Sequence, residues 1–177
     1  AHAIRCGVPT LTGTDRATTL PEARDFLARL GPGGAIMLKA LAGGGGRGMR
    51  AVSSPDALDE AFERCASEAA TAFGSAALYV EQLMPRARHV EVQVAGDGAA
   101  AVHLYERECS LQRQRQKLVE IAPAPGLAPN LRDRLLGSAL RIAREANLSN
   151  LATIEFLVDA DGASRNDGTF AFVEANA

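Results

Sequence analysis

The sequence predicts a mixed α+β fold in which antiparallel β-hairpins outnumber βαβ units. Residues 89–108, "HVEVQVAGDGAAAVHLYERE", alternate valines with polar residues and then turn at Gly96-Asp97-Gly98, a pattern typical of a hairpin. The last two strand-like runs, "LATIEFLVD" and "TFAFVEANA", are joined by a short polar loop, which favours an antiparallel pair. Three other segments repeat their apolar residues at helical spacing, so helices accompany the hairpins.

The elements before the hairpin have recognisable boundaries. A helix is favoured where proline occupies its first position and where glycine follows its last residue. Strands are predicted where short apolar runs are bounded by glycine or polar residues. In order, the first half predicts a helix end and strand start over 1–9, a helix over 20–30, a strand over 35–40, a helix over 54–73 and a strand over 78–82.

The pattern after the hairpin is less regular. Residues 108–126, "ECSLQRQRQKLVEIAPAPG", predict a charged, irregular segment that ends in a proline-rich loop. A helix is predicted over 129–148, because its apolar residues lie on one face. That face carries Leu131, Leu135, Ala139, Ile142 and Ala146.

The composition excludes several classes of protein. The chain has 177 residues, of which 47% are hydrophobic and 23% charged, as in an ordinary globular domain. No apolar run reaches the roughly 18 residues of a membrane span, and the N-terminus lacks a signal-peptide pattern. A net charge of −2 gives no general reason to expect nucleic acid or an anionic membrane as a partner. The three cysteines form neither a metal-binding spacing nor an even disulfide set, which favours a reducing, cytoplasmic setting.

A glycine-rich loop follows the strand that ends near Lys39. Glycines allow backbone N–H groups to approach a phosphate closely, because no Cβ is in the way. The order of residues matches neither a P-loop nor a dinucleotide-binding motif. The loop residues, Gly43, Gly44, Gly45, Gly46 and Gly48, therefore fit either a phosphate-binding flap beside Lys39 or a mobile surface loop.

Oxygen ligands converge on the last two strands. Glu174 and Asn176 share a face because side chains alternate along a strand, and Glu155 interrupts an apolar run on the neighbouring strand. Two carboxylates and an amide oxygen suit Mg²⁺, and a cation would compensate for the cost of burying them. The alternative is that each carboxylate lies on the solvent face of a half-exposed hairpin.

Two further segments carry polar groups suited to a nucleotide. Four cations within eleven residues, Arg107, Arg113, Arg115 and Lys117, could neutralise phosphate or carboxylate charge, or could form a solvated basic strand or a nucleic-acid patch. Glu81, the backbone at Gln82 to Met84, and His89 lie where one strand ends and the next begins, and an extended backbone there could hydrogen-bond an adenine edge. Taken alone, His89 fits a surface histidine at a strand start better than a binding residue.

Four motifs of this chain resemble the ATP-grasp core of biotin carboxylases, the ATP-dependent parts of acetyl-CoA, propionyl-CoA, pyruvate and urea carboxylases. In chain order they are "IMLKALAGGGGRGMR", "YVEQLMPRARHVEVQVAGDG", "YERECSLQRQRQKLVEIAPAPG" and "ATIEFLV" followed by "FVEAN". The resemblance implies an incomplete ATP-grasp fold, whose two lobes grip a nucleotide. It implies that residues 1–10 end a preceding lobe, 11–83 form the lid, and 84–177 form part of the core lobe.

The resemblance also implies a reaction in which ATP and bicarbonate form carboxyphosphate and the carboxyl group passes to carrier-bound biotin. ATP and Mg²⁺ or Mn²⁺ would be the cofactors, with biotin as a carried substrate. A biotinylated carrier domain and a carboxyltransferase would be the partners, and the parent would be a homo-oligomer without nucleic acid or membrane partners.

The implied roles divide among three sets of residues. Lys117 and Arg115 would be catalytic, with Arg115 standing where several carboxylases have a histidine. Glu155, Glu174 and Asn176 would bind the metal. The nucleotide would be bound by Lys39, Gly43, Gly44, Gly45, Gly46, Gly48, Glu81, Gln82, Leu83, Met84, His89 and Gln112.

The resemblance leaves three alternatives open. The family's N-terminal lobe and the residues that follow Asn176 are missing from this chain, so we expect the chain alone to be inactive. A carbamoyl-phosphate synthase large-chain domain shares the fold and a bicarbonate-phosphorylating step. A non-catalytic nucleotide-sensing module and a nucleic-acid-binding module are the alternatives from other classes.

Overall fold

A computed structural model describes residues 2–43 and 47–177, which form two compact units. The smaller unit is Leu11–Pro85, and the larger unit combines the residues up to Thr10 with Arg86–Ala177. None of the helices in the described ranges has the length and apolar character that a membrane span requires. The assignment of the two units to a lid and a core lobe stays a prediction.

The smaller unit is a three-stranded antiparallel sheet packed against helices. Its strands, in the order β2-β1-β3, are β1 (Ile36–Ala40), β2 (Met49–Val52) and β3 (Leu78–Gln82). The helices are α2 (Leu20–Arg29) and α3 (Leu58–Phe73), and a 3₁₀ turn, Pro55–Ala57, precedes α3. Ile36, Leu38 and Val80 are fully buried in the core between the sheet and the helices.

Local sequence explains where these helices begin and end. The Thr19 side chain accepts from the backbone of Glu22, and the Glu22 carboxylate accepts from the backbone of Thr19, which forms a capping box at the start of α2. Gly74 ends α3 in the left-handed conformation, at φ 72°, which a glycine adopts without strain. The predicted helices and strands of this unit are confirmed, apart from β2, which the sequence did not predict.

The larger unit is a five-stranded antiparallel sheet in the order β6-β5-β4-β7-β8. Helix α4 packs on one face of this sheet and buries its apolar residues against Val90, Val92 and Phe156. The short helix α1 also contributes Ala3 to this core. The elements are α1 (His2–Arg5), β4 (Ala87–Gly96), β5 (Ala101–Arg113), β6 (Gln116–Ile121), α4 (Pro129–Glu145), β7 (Leu151–Asp159) and β8 (Phe170–Asn176).

The structure corrects two predictions for the larger unit. The segment 108–126 is not irregular, because most of it belongs to β5 and β6, which pair as a hairpin. The turn between them consists of Gln114 and Arg115, both at positive φ (51° and 65°), and it lacks the glycine or asparagine that usually signals such a turn. The predicted strand start directly after α1 is not observed: no strand lies between α1 and α2 in the described residues, and Thr10 forms only a single bridge with Phe172.

Gly96 provides a stability test of the larger unit. A Cβ at this position would lie 2.2 Å from the Leu148 carbonyl oxygen, so the backbone would have to shift. We expect Gly96→Ala to lower the free energy of unfolding by about 1–3 kcal/mol, because overpacking displaces well-fitted neighbours. Urea unfolding followed by far-UV circular dichroism would measure the change.

Gly137 is the matched control because it lies inside α4, where a Cβ would meet only the Arg141 side chain at 3.7 Å. We expect Gly137→Ala to raise the free energy of unfolding by about 0.5–1 kcal/mol, because alanine is the better helix former. Equal effects of the two substitutions would contradict the packing described here.

Candidate active site

Lys39 and Glu81 form an ion pair on one face of the smaller sheet. Lys39 lies on β1 opposite Tyr79, and Glu81 lies two residues further along β3, so the two side chains are diagonal neighbours. Lys39 Nζ lies 3.0 Å from a Glu81 carboxylate oxygen. Burial alone would lower the pKa of Lys39, but attraction to Glu81 outweighs it and raises the pKa. The ammonium is therefore charged and held in place at neutral pH.

The two described ends of the glycine loop lie close to the end of β1. The backbone N–H of Gly43 donates to the Ala40 carbonyl, and the N–H of Ala40 donates to the Gly48 carbonyl. Gly48 has φ 64°, and a Cβ there would lie 2.8 Å from the Ala40 Cβ, so both conformation and space require glycine. The predicted phosphate-binding residues Gly44, Gly45 and Gly46 lie outside the described residues.

The predicted adenine-binding segment, Gln82 to Met84, begins at the last residue of β3. The N–H groups of Gln82 and Leu83 donate to the carbonyls of Thr12 and Ala35. An adenine at this segment would therefore have to use other backbone groups. The roles of these residues, and of the glycine loop, stay predictions.

The predicted metal ligands converge in the larger unit. Glu155 on β7 and Glu174 on β8 are paired directly across the two strands. The Asn176 side-chain nitrogen donates to both carboxylates, at 2.9 Å from Glu155 and 3.2 Å from Glu174. Glu155 is only 5% exposed, whereas Glu174 is half-buried and Asn176 exposed. The alternative in which both carboxylates lie on a solvent face is wrong for Glu155.

Lys117 connects this group to a second carboxylate. Lys117 Nζ lies 2.8 Å from Glu155 Oε1 and also donates to Glu91. Glu91, on β4, is 1% exposed and also accepts from Arg107. Arg107 Nε in turn lies 2.9 Å from Glu120. We call Glu91, Arg107, Lys117 and Glu155 the charge cluster.

His89 and Gln112 complete the surroundings of Glu155. His89 Nε2 lies 2.6 Å from Glu155 Oε2, and the Gln112 side-chain nitrogen lies 2.5 Å from His89 Nδ1. Gln112 and the Glu155 carboxylate therefore contact the two ring nitrogens of His89 from opposite sides. The sequence predicted both residues for a nucleotide site, and the structure places them beside the predicted metal ligand.

The charge cluster shifts two pKa values in opposite directions. Burial alone would raise the pKa of Glu155, but hydrogen bonds from His89 and Lys117 lower it to about 2. Burial alone would lower the pKa of Lys117, but hydrogen bonds to Glu155 and Glu91 raise it above its usual value. Both groups are therefore charged at neutral pH, as phosphate and cation binding require.

Glu91 was missed by sequence reasoning. Side chains alternate between the two faces of a strand, and Val90 and Val92 point into the core. This alternation alone places Glu91 on the other face of the sheet, together with His89. That face is the one on which Glu155 lies, because Glu91 and Glu155 are paired across β4 and β7.

Arg115, predicted to be catalytic, lies exposed in the turn between β5 and β6.

A second group of possible metal ligands contains none of the residues that the sequence predicted for a metal. Ligand atoms of Glu91, Cys109 and Glu120 lie within 4.8 Å of one another. Glu91, however, is already bound by Arg107 and Lys117. Burial and the nearby Glu91 raise the pKa of the Cys109 thiol to about 12, so without a bound metal the thiol is protonated at neutral pH.

Comparison with known proteins identifies the family. Residues 1–177 match the model for "Carbamoyl-phosphate synthase L chain, ATP binding domain". Pyruvate carboxylase 1 of Caenorhabditis elegans is 48% identical over 177 residues, which cover 99% of this chain and 14% of that protein. The chain thus spans about one seventh of the length of such relatives.

Solved structures agree with this relationship. A biotin carboxylase–β,γ-ATP complex from Campylobacter jejuni superposes with a TM-score of 0.89 at 39% identity, over 99% of this chain and 38% of that one. The biotin carboxylase domain of 2-oxoglutarate carboxylase from Hydrogenobacter thermophilus was solved with MgADP and bicarbonate. It superposes with a TM-score of 0.87 at 37% identity, over 99% of this chain and 37% of that one. The predicted ATP-grasp fold and the resemblance to biotin carboxylases are therefore confirmed, and the chain belongs to the carbamoyl-phosphate synthase L chain ATP-binding domain family.

Proposed function

We propose that this chain is the ATP- and Mg²⁺-binding part of a biotin-dependent carboxylase, which uses ATP and bicarbonate to carboxylate carrier-bound biotin. The observation that supports this most is the convergence of Glu155, Glu174 and Asn176 beside Lys117 on one sheet face. Carboxylases are also the relatives that this chain resembles over nearly its whole length. The parent's carrier domain, carboxyltransferase and homo-oligomeric state belong to the same proposal. So does a reducing, cytoplasmic location, which the three cysteines favour.

The donor set fits a hard divalent cation. Glu155 and Glu174 supply carboxylate oxygens from adjacent strands, and rotation of the Asn176 amide would turn its oxygen toward the same point. N–H donors, including the Lys117 ammonium, surround Glu155, which supports the proposal of a cation at this position. A bound Mg²⁺ would neutralise phosphate oxygens during phosphoryl transfer.

The chain's own residues would position the reactants. Lys39, fixed by Glu81, would bind the nucleotide phosphates, and Gly48 would let the loop backbone approach them. The positive charge of Lys117 would hold the bicarbonate anion in place. A bicarbonate oxygen would then attack the γ-phosphorus of ATP, and ADP would leave. Such a reaction requires alignment and charge neutralisation more than covalent catalysis.

The structure gives a reason to prefer this function to nucleic-acid binding. Arg107 and Lys117, which belong to the basic stretch of the sequence, are bound by the carboxylates of Glu91 and Glu155. They therefore contribute little free positive charge to a phosphate backbone.

Ammonia-dependent rather than biotin-dependent ATP use by the longer protein would favour a carbamoyl-phosphate synthase. ATP binding without any turnover in the longer protein would favour a sensing module.

Lys39 gives the most direct test of nucleotide binding. We expect Lys39→Met to weaken MgATP binding by about 10–100-fold, because a hydrogen bond to a charged phosphate contributes about 1.5–3 kcal/mol. Isothermal titration calorimetry of the 177-residue chain would measure the dissociation constant.

Arg64→Met is the matched control, since it removes one positive charge from the exposed surface of α3, where Arg64 pairs with Glu60. We expect its affinity for MgATP to stay within about twofold of wild type, as is usual for exposed ion pairs. Equal affinities of the Lys39 variant, the control and the wild type would contradict the role of Lys39.

A further inference from the structure

Three nitrogen atoms of this chain surround the Glu155 carboxylate. Oε1 accepts from Lys117 at 2.8 Å and from Asn176 at 2.9 Å, and Oε2 lies 2.6 Å from His89 Nε2. Oε1 is the oxygen that shares Asn176 with Glu174, so a divalent cation held by both carboxylates must compete there with the donors already on Oε1.

Lys117 is the donor that can leave at the lowest cost. His89 is held from behind by Gln112, so it has little freedom to move. Asn176 need only rotate its amide to replace its nitrogen by an oxygen. Lys117 sits on a flexible four-carbon side chain and has a second carboxylate partner in Glu91, which is 1% exposed. If Lys117 moved away from Glu155, its ammonium would therefore still be paired with Glu91.

Electrostatics also selects Lys117 for displacement. A dication and an ammonium that share one carboxylate repel each other, and this repulsion is strong where water is largely excluded. The Asn176 amide, in contrast, is neutral and can turn its oxygen toward the cation. Glu91 also binds Arg107, so it is firmly placed to receive Lys117.

We propose that Lys117 is an internal counter-cation of Glu155, and that a divalent cation displaces it from Glu155 while Glu91 retains it. Glu91 is then a positioning residue, because it acts through Lys117. The proposal rests on the proposed function and adds an order of events to it. The ammonium loses one of its two carboxylate partners only when the cation is bound, so its capacity to bind an anion such as bicarbonate rises at that moment.

The test is the affinity for Mn²⁺, measured by electron paramagnetic resonance of the free ion in the 177-residue chain. Removing the competing ammonium should tighten binding, so we expect Lys117→Met to bind Mn²⁺ at least about 10-fold more tightly than wild type. Arg144→Met removes one charge from an exposed position on α4 and should stay within about twofold. Glu155→Gln should abolish the gain when combined with Lys117→Met.

A second measurement does not depend on any Lys117 variant folding. In ¹⁵N-labelled wild-type chain, Mg²⁺ should shift the Lys117 side-chain ¹⁵N resonance, and Glu155→Gln should remove that shift. Mn²⁺ binding that is equal in wild type and Lys117→Met, or a Lys117 resonance that Mg²⁺ leaves unchanged, would overturn the exchange but leave the proposed function standing. Failure of every variant to bind Mn²⁺, with or without ATP, would overturn both.

Discussion

Glu91→Ala is expected to lower the free energy of unfolding of the larger unit by about 3 kcal/mol. The Glu91 carboxylate is 1% exposed and accepts from both Arg107 and Lys117. Its removal leaves one guanidinium and one ammonium group that were partly desolvated to meet it. Both cations are about one-quarter exposed, so water can compensate in part, and the loss falls at the lower end of the range for broken buried ion pairs.

Urea unfolding followed by circular dichroism would measure this loss, and hydrogen exchange read by mass spectrometry would assign it to β4 and its neighbours. Glu120→Ala is the matched control, because Glu120 also lies beside Arg107 but its side chain is 43% exposed. We expect that variant to lose less than about 1 kcal/mol. Glu91→Gln keeps most of the volume, so a loss confined to Glu91→Ala would show that a cavity, and not the charge, is responsible.

The elements that the sequence predicted best are those whose signal is local. The helix that ends at Gly74 has a periodic apolar face and a glycine stop, so its bounds follow from residues close together in the chain. The hairpin of β5 and β6 has neither kind of signal. Its turn uses Gln114 and Arg115, and its last strand is exposed at the sheet edge, where no core imposes an apolar alternation.

The candidate site shows the same limit. Period 2 was enough to place Glu174 and Asn176 on one face, and the antiparallel pair brought Glu155 opposite them. The partners of Glu155 come instead from β4 and β6, through pairings over long separations in sequence. Lys117 could be recognised as a cation from the sequence, but its two carboxylate partners depend on the order of strands in the sheet, which no local pattern specifies.

The pKa of Glu155 leads to the second large effect, a dependence of stability on pH. Hydrogen bonds from His89 and Lys117 outweigh burial and lower this pKa from 4.5 to about 2. A carboxyl group whose pKa is lower in the folded state stabilises the fold above the unfolded value, and that contribution is lost as the pH falls. We therefore expect up to about 3 kcal/mol to disappear between about pH 4.5 and pH 2.

Glu155→Gln isolates this contribution, because glutamine does not titrate. In buffers with a chelator, the difference in free energy of unfolding between wild type and Glu155→Gln should be largest at neutral pH and should shrink as the pH falls below about 4.5. Glu145→Gln, on the exposed end of α4, should show a difference that stays small across the same range. A wild-type advantage over Glu155→Gln that persists unchanged to low pH would mean that Glu155 stabilises the sheet through shape and not through its charge. The pairing with Lys117 would then be too weak to compete with a divalent cation for Glu155.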